Sequence, residues 1–193
     1  MSDATDDEST LRHAVVLDHL PHGLPGDDRP QYETPSAAYA IGERDFYLYE
    51  LLFEDEADVS IGDRIVVSPA EERRSIQQLR TVEYEDLSSG ATSELDYVVE
   101  EIVEANESRF VDFYNDAQPI TLRLHQLNLL PGIGKKLRNT ILDERKRKPF
   151  ESFEEVEERV SGLHDPKGVI VERIIEELRE DDLKYRRFVG SGD

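Results

Sequence analysis

The 193-residue chain has no cysteine and no tryptophan, a single methionine and only 6 lysines. Without cysteine it forms no disulfide, zinc ribbon or iron–sulfur cluster and has no thiol nucleophile. No apolar run approaches the length needed to cross a bilayer as a helix. The opening segment MSDATDDEST is polar and acidic, unlike a secretory signal. A soluble, cytoplasmic protein is expected, with no membrane partner. Walker A loops, the Rossmann glycine fingerprint and serines in a nucleophile-elbow context are all missing. No cofactor is therefore expected. Apolar residues make up 37% of the chain, enough for one large domain or two with small cores.

Acid, by contrast, is in excess: 44 Asp and Glu stand against 23 Lys and Arg, a net charge of −21. The acids are spread along the whole length, and arginine outnumbers lysine 17 to 6. This pattern fits adaptation to molar salt, where a carboxylate-rich, lysine-poor surface is common. The other reading is an acidic protein that binds basic partners. In the first case net charge does not forbid an anionic ligand. Counterion release drives little binding at molar salt, so backbone N–H contacts would count for more than lysine charge.

One window reverses the sign. Residues 134–148 hold Lys135, Lys136, Arg138, Arg145, Lys146, Arg147 and Lys148 against only Asp143 and Glu144. Overlapping its start is the run LLPGIGKK (129–136), which reads as the turn of a helix-hairpin-helix. Pro131 stops the incoming helix. Gly132 and Gly134 permit a tight turn and leave the backbone uncovered. A new helix opening near Gly134 would present N–H groups that have no partner inside the helix, and these can hold a phosphate oxygen. Ile133 would anchor the turn, and Lys135, Lys136, Arg138, Lys146 and Arg147 would track neighbouring phosphates. Such contacts grip a backbone without reading bases. The competing reading is an exposed helix whose charges only solvate it.

The rest of the chain divides in two. Residues 1–10 read as a disordered acidic tail. Between 11 and 88, strands are expected at 11–20, 37–41, 46–53, 65–67 and 76–84, with a proline-rich loop at 21–35 and a turn at 42–45. Five short strands suggest a small antiparallel barrel of the OB type. From 93 to 189 every segment reads as helical. Ser93 is expected to cap a helix carrying Leu95, Val98, Val99, Ile102 and Val103. A short helix holds Phe110, Val111, Phe113 and Tyr114, and another begins at Pro119 with Leu122, Leu124, Leu127 and Leu130 along one side. The helix-hairpin-helix is thus expected over 119–148. A degenerate second repeat over 152–178 opens with a capping box, Ser152 and Glu155. Its turn keeps Gly162 but has Asp165 and Pro166 in place of open backbone. The fold class is α+β in two domains.

Other residues carry open readings. Tyr39, Tyr47 and Tyr49 could stack on unpaired bases, or could be barrel core together with Phe53. His19 and His22, with Asp18 nearby, have loose metal-ligand spacing interrupted by a proline, and incidental loop histidines explain them as well. His125 could meet phosphate or could serve helix packing.

The stretch LLPGIGKKLRNTILDERKRKPFESFEEVEERVSGL resembles tandem helix-hairpin-helix modules of competence and repair proteins. It differs in carrying Arg138 where many such motifs have alanine. The whole chain resembles an archaeal family, domain of unknown function 655. The resemblance lies in LDHLPHG (17–23), NESRFVDFYNDAQPITLRLHQLNLLPGIGKK (106–136), KPFESFEEVEERV (148–160) and KYRRFV (184–189). It implies an OB-like barrel joined to helix-hairpin-helix repeats, a nucleic-acid-binding role and no established reaction. Families of this kind tend to sit beside translation and ribosomal-RNA maturation, which favours RNA over DNA. Three classes remain. One is a non-catalytic nucleic-acid binder, in translation or as a DNA repair or recombination accessory factor. Another is an adaptor for ribosomal or transcription proteins. The third and weakest is a nuclease or glycosylase, which would need a flipped-base pocket and a catalytic Asp or Lys.

Overall fold

β-Branched and alternating apolar residues draw the N-terminal part of the chain into one antiparallel sheet. The structure, a computed structural model, describes residues 10–54 and 57–190. The expected acidic tail therefore lies outside the described residues, apart from Thr10. The strands are β1 (Arg12–Leu20), β2 (Ala37–Gly42), β3 (Leu48–Phe53), β4 (Arg64–Ser68) and β5 (Ile76–Val82). Their order is β4-β1-β2-β3-β5, with every neighbour antiparallel. The register slips between Arg12 and His13, Val16 and Asp18, and Leu52 and Phe53. Such irregularities increase local twist and curl the sheet into a half-barrel. A barrel of the OB type would need the sheet to close. Among the described residues no pairing joins β4 to β5, and these two strands form the edges. Ala14, Val16, Ala38, Ala40, Leu51, Phe53 and Val67 form a core cluster of the sheet.

The β2–β3 turn runs longer than its sequence predicts. Phe46 is wholly buried and left-handed at φ 57°, and the Asp45 carboxylate accepts the N–H of Tyr47 at 3.0 Å. These contacts close the turn, so β3 starts at Leu48 rather than at Phe46.

Five α-helices follow: α1 (Ser89–Ala105), α2 (Glu107–Asp116), α3 (Lys135–Arg147), α4 (Phe153–Arg159) and α5 (Pro166–Arg179). Ser93 is not the cap of α1. Ser88 Oγ accepts the N–H of Ala91 at 3.0 Å and donates to Asp18 at 2.6 Å, while the Ser93 hydroxyl donates back to the Ser89 carbonyl. The cap, and the helix with it, thus comes five residues early.

The helix expected from Pro119 is also absent. Pro119 and His125 form an isolated bridge, and the N–H groups of Ile120 and Thr121 both donate to the Leu124 carbonyl. The Thr121 hydroxyl accepts from Arg123 and Leu124, which offers the backbone an alternative to helix. Leu122 consequently points into solvent instead of a core. Only a single 3-10 turn, Gln126–Leu129, precedes Pro131.

Downstream, α4 begins as expected, with Ser152 Oγ accepting the Glu155 N–H at 3.1 Å. The Glu155 carboxylate accepts from Glu151 N, one residue before the position a full capping box uses. Asp165, left-handed at φ 51°, caps α5 through the N–H of Gly168, with Pro166 in the first turn. The chain forms two compact units, Met1–Val98 with Phe188–Asp193, and Val99–Arg187. The division falls within α1.

Candidate functional site

The turn from Leu130 to Lys136 is built from its buried side chains outward. Leu127, Leu130 and Ile133 are all buried, and Ile133 N donates to the Leu130 carbonyl at 3.2 Å. Gly132 takes φ +79°, a conformation that side chains resist. Asn128 ties the pieces together. Its amide nitrogen donates to the Ile133 carbonyl, and its Oδ1 accepts from His125 N and from Arg138 Nη1 at 3.1 and 3.2 Å. His125 Nδ1 accepts the N–H of Leu127, so this histidine serves the turn as a neutral cap. Burial, then Arg145 and Arg138, push its pKa down.

Gly134 is the N-cap of α3 and supplies no side-chain cap. The first intrahelical bond runs from Arg138 N to the Gly134 carbonyl. The N–H groups of Lys135, Lys136 and Leu137 therefore have no helical acceptor. Gly134 sits at φ −90° and ψ −165°, which any residue can adopt, and nothing lies within 4 Å of where its Cβ would stand. Neither conformation nor packing demands glycine there. What its missing side chain provides is open access to the start of the helix.

Lys135 and Lys136 are exposed and Arg138 is half-buried. A surface pocket is lined by Leu122, Arg123, Asn128, Lys135 and Arg138. Among the described residues, no carboxylate lies within ion-pair distance of Arg123, Lys135, Lys136 or Arg138. Sequence reasoning missed Arg123 because it assigned residues 119–130 to a helix. The available signal was the alternation Ile120, Leu122, Leu124 around Thr121, a pattern of extended chain and turn.

The other end of the basic window divides differently. Lys146 is exposed, and Arg147 pairs with Glu144 at 3.2 Å. A second concavity at the turn is lined by Leu130, Gly132, Gly134, Arg173 and Glu176 among others. There Arg173 is already bound to Glu176 and Glu177, at 3.3 and 3.1 Å. The arginine of this concavity is thus already paired, unlike the cations of the pocket beside α3.

The three tyrosines lie in different surroundings. Tyr39 is buried beside Glu50, and burial, then that carboxylate, raise its pKa. Tyr49 packs on the core cluster, where burial pushes its pKa up to about 12. Tyr47 precedes β3 and is 43% exposed, the most open of the three. His19, His22 and Asp18 do not converge. Asp18 turns to Ser88, and His22 Nδ1 meets Gln31 Nε2 at 2.9 Å. Among the described residues no group of three potential ligands is placed to hold a metal. Nor is any helix among them long and apolar enough to cross a membrane.

Comparison with known proteins places this geometry in a family. The family model described as protein of unknown function (DUF655) matches residues 10–190. The chain is 40% identical over 178 residues to the uncharacterized protein MJ0038 of Methanocaldococcus jannaschii, covering 92% of this chain and 79% of that protein. It is similar to the crystal structure of Af1531 from Archaeoglobus fulgidus, assigned to the same family, with a TM-score of 0.83 and 42% identity over 92% of this chain and 98% of that one. With the family model spanning both units and both relatives aligning along nearly the whole chain, the protein belongs to the DUF655 family of proteins of unknown function.

Proposed function

We propose that the protein is a non-catalytic nucleic-acid-binding protein. It grips the phosphate backbone through the turn at 131–136, read as the hairpin of a helix-hairpin-helix. One observation carries this reading. In a chain of 44 acidic residues, Arg123, Lys135, Lys136 and Arg138 have no carboxylate partner among the described residues, and three of them line one pocket beside an uncapped helix start. A surface adapted only for solvation in salt would place acid beside such cations. The N–H groups behind Gly134 would hold one phosphate oxygen, and the cations would follow its neighbours. Backbone donors of this kind keep working at high salt, where counterion release contributes little. RNA is placed ahead of DNA because families of this kind accompany translation and ribosomal-RNA maturation.

The test is affinity for single- and double-stranded RNA and DNA across a salt series, comparing the parent with Lys135→Glu/Lys136→Glu. The double variant should weaken every ligand alike and flatten the salt slope by roughly one unit per lost phosphate contact. If a folded variant binds like its parent, the turn is structural only. An adaptor for ribosomal or transcription proteins then becomes the leading function.

A further inference from the structure

The sheet ends differently at its two edges. β4 has five residues, is followed at once by Pro69, and gives its Val67 carbonyl to Arg73 Nε at 2.6 Å. A short strand capped by its own chain is a blunted edge. β5 has seven residues, with no lysine and no proline among them. Among the described residues its backbone is hydrogen-bonded on one side only, to β3, so a row of N–H and C=O groups stands open on the other.

Side chains are left half-covered at the same place. The register sets Ile76 opposite Phe53 and Leu79 opposite Leu51, so both turn toward the core cluster. Phe53 and Leu51 are buried, whereas Ile76 and Leu79 are half-buried, with no strand beyond them. Ile65 on β4 is half-buried too, and with Phe53, Val59 and Ile76 it lines a groove of about 470 Å³ between the two edges. An open row of backbone donors and acceptors beside an apolar groove is what an added strand recognises.

Charge selects the strand. Residues 1–98 hold 7 basic against 23 acidic residues, a net of −16, and none of the protein's 6 lysines. At the groove itself Arg64 is held by Glu43 at 2.7 Å, which leaves Asp58 and Glu72 against Arg74. A second copy would bring the same acid excess to the seam, and residues 1–9 of the chain carry Asp3, Asp6, Asp7 and Glu8. Nucleic acid is repelled by the same sign.

We propose that β5 binds an extended, basic segment of a partner protein, which adds a strand to the sheet and sets alternate apolar side chains into the groove. Backbone pairing and apolar burial carry the affinity, and neither is screened by salt. The site does not rest on the phosphate-binding turn, so either can fail alone.

The full-length, ¹⁵N-labelled protein is titrated with a peptide of alternating valine and lysine long enough to span β5. Saturating shifts should centre on residues 76–82, and amide exchange should slow at every second residue of β5, where the open N–H groups gain acceptors. Methylating the peptide's backbone nitrogens, at its valines or at its lysines, keeps every side chain and charge. One of the two should bind about tenfold more weakly, as loss of several hydrogen bonds requires. A valine–glutamate peptide should also bind about tenfold more weakly. Asp58 and Glu72 are exposed, so Asp58→Lys/Glu72→Lys should weaken the lysine peptide roughly threefold at low salt with an unchanged melting temperature. Shifts scattered over the acidic surface without slowed exchange in β5 would overturn the proposal, as would unchanged binding by both methylated peptides or equal affinity for the glutamate peptide. So would an affinity gain of about tenfold on deleting residues 1–9, which would make that segment the occupant. A concentration-dependent dimer that the peptide dissociates would make the occupant a second copy and overturn it likewise.

Discussion

Arg145 donates from Nη1 to the carbonyl of Ala117 at 2.9 Å, and also to that of Tyr114 at 3.2 Å. It stands in the most basic stretch of the chain, yet its guanidinium closes the C-terminal end of α2, where carbonyls lack helical partners and the dipole favours a cation. Burial lowers its pKa, although a guanidinium stays protonated regardless. Arg145→Met should therefore cost about 1.5–3 kcal/mol in denaturant unfolding, the range for hydrogen bonds to charged groups. Affinity for nucleic acid per folded molecule should not change. Unaltered stability with lost binding would move Arg145 into the binding surface.

A second prediction concerns pH. His125 accepts the Leu127 N–H and is held neutral, with its pKa below the ordinary 6.5 because of burial and the nearby Arg145 and Arg138. The unfolded chain therefore binds a proton more readily than the folded one. Between the unfolded pKa and the lower folded one, stability rises with pH. The contribution of His125 is fully present above about pH 7, is lost as pH falls below about 6.5, and is gone below the folded pKa. His125→Asn keeps an acceptor for Leu127 and removes the titration. Unfolding free energies of parent and variant, measured from pH 7.5 to 5.5, should diverge from parallel, with the parent falling more steeply. Parallel curves would mean that His125 does not sense pH.

Much of this fold was legible because period and punctuation agree. The β-branched Val15 and Val16, the stop before Pro149 and the Ser152 cap each act locally, and each sits where sequence reading puts it. The misplacements share another cause. Thr121 takes backbone donors that a helix would have used, Ser88 caps α1 through a hydroxyl also bound to Asp18, and Phe46 accepts a left-handed conformation because burial compensates it. Each depends on side-chain hydrogen bonding or burial that periodicity does not encode. For the candidate site, the turn and its lysines were visible as a motif. Arg123 was not, because only the folded loop brings it beside Lys135 and Arg138. Nor does a charge count separate Arg145, bound to carbonyls, from Lys146, which is exposed.

Arg123 gives the third prediction. It is exposed, hydrogen-bonds through its backbone to Thr121, and lines the pocket with Lys135 and Arg138. Arg123→Glu should leave stability within about 0.5 kcal/mol, as exposed substitutions do. It should weaken RNA and DNA alike and lower the salt slope by roughly one unit. A stable variant with an unchanged slope would confine the binding surface to α3.

The last prediction separates two glycines that look equivalent in the sequence. Gly132 is at φ +79°, so Gly132→Ala forces a side chain into the left-handed region and should cost about 1–2 kcal/mol, even though the space beside it is open. Gly134 is at φ −90° and ψ −165°, an extended conformation that alanine and valine accept, with nothing within 4 Å of the added Cβ. Gly134→Ala should cost no more than about 1 kcal/mol, the penalty of alanine at an N-cap. Its methyl would intrude on the open space through which a ligand approaches the N–H groups at the start of α3, and the branched side chain of Gly134→Val would fill more of it. Affinity should fall in the order parent, alanine, valine, for every nucleic acid tested and at high salt as well as low. Lysine contacts fade with salt and backbone contacts to phosphate do so less, so persistence at high salt identifies the donor. Gly132→Ala should instead lower the unfolding midpoint while leaving most affinity per folded molecule. If Gly134→Val folds and binds like its parent, the open helix start has no ligand, and the cations around it only solvate the surface.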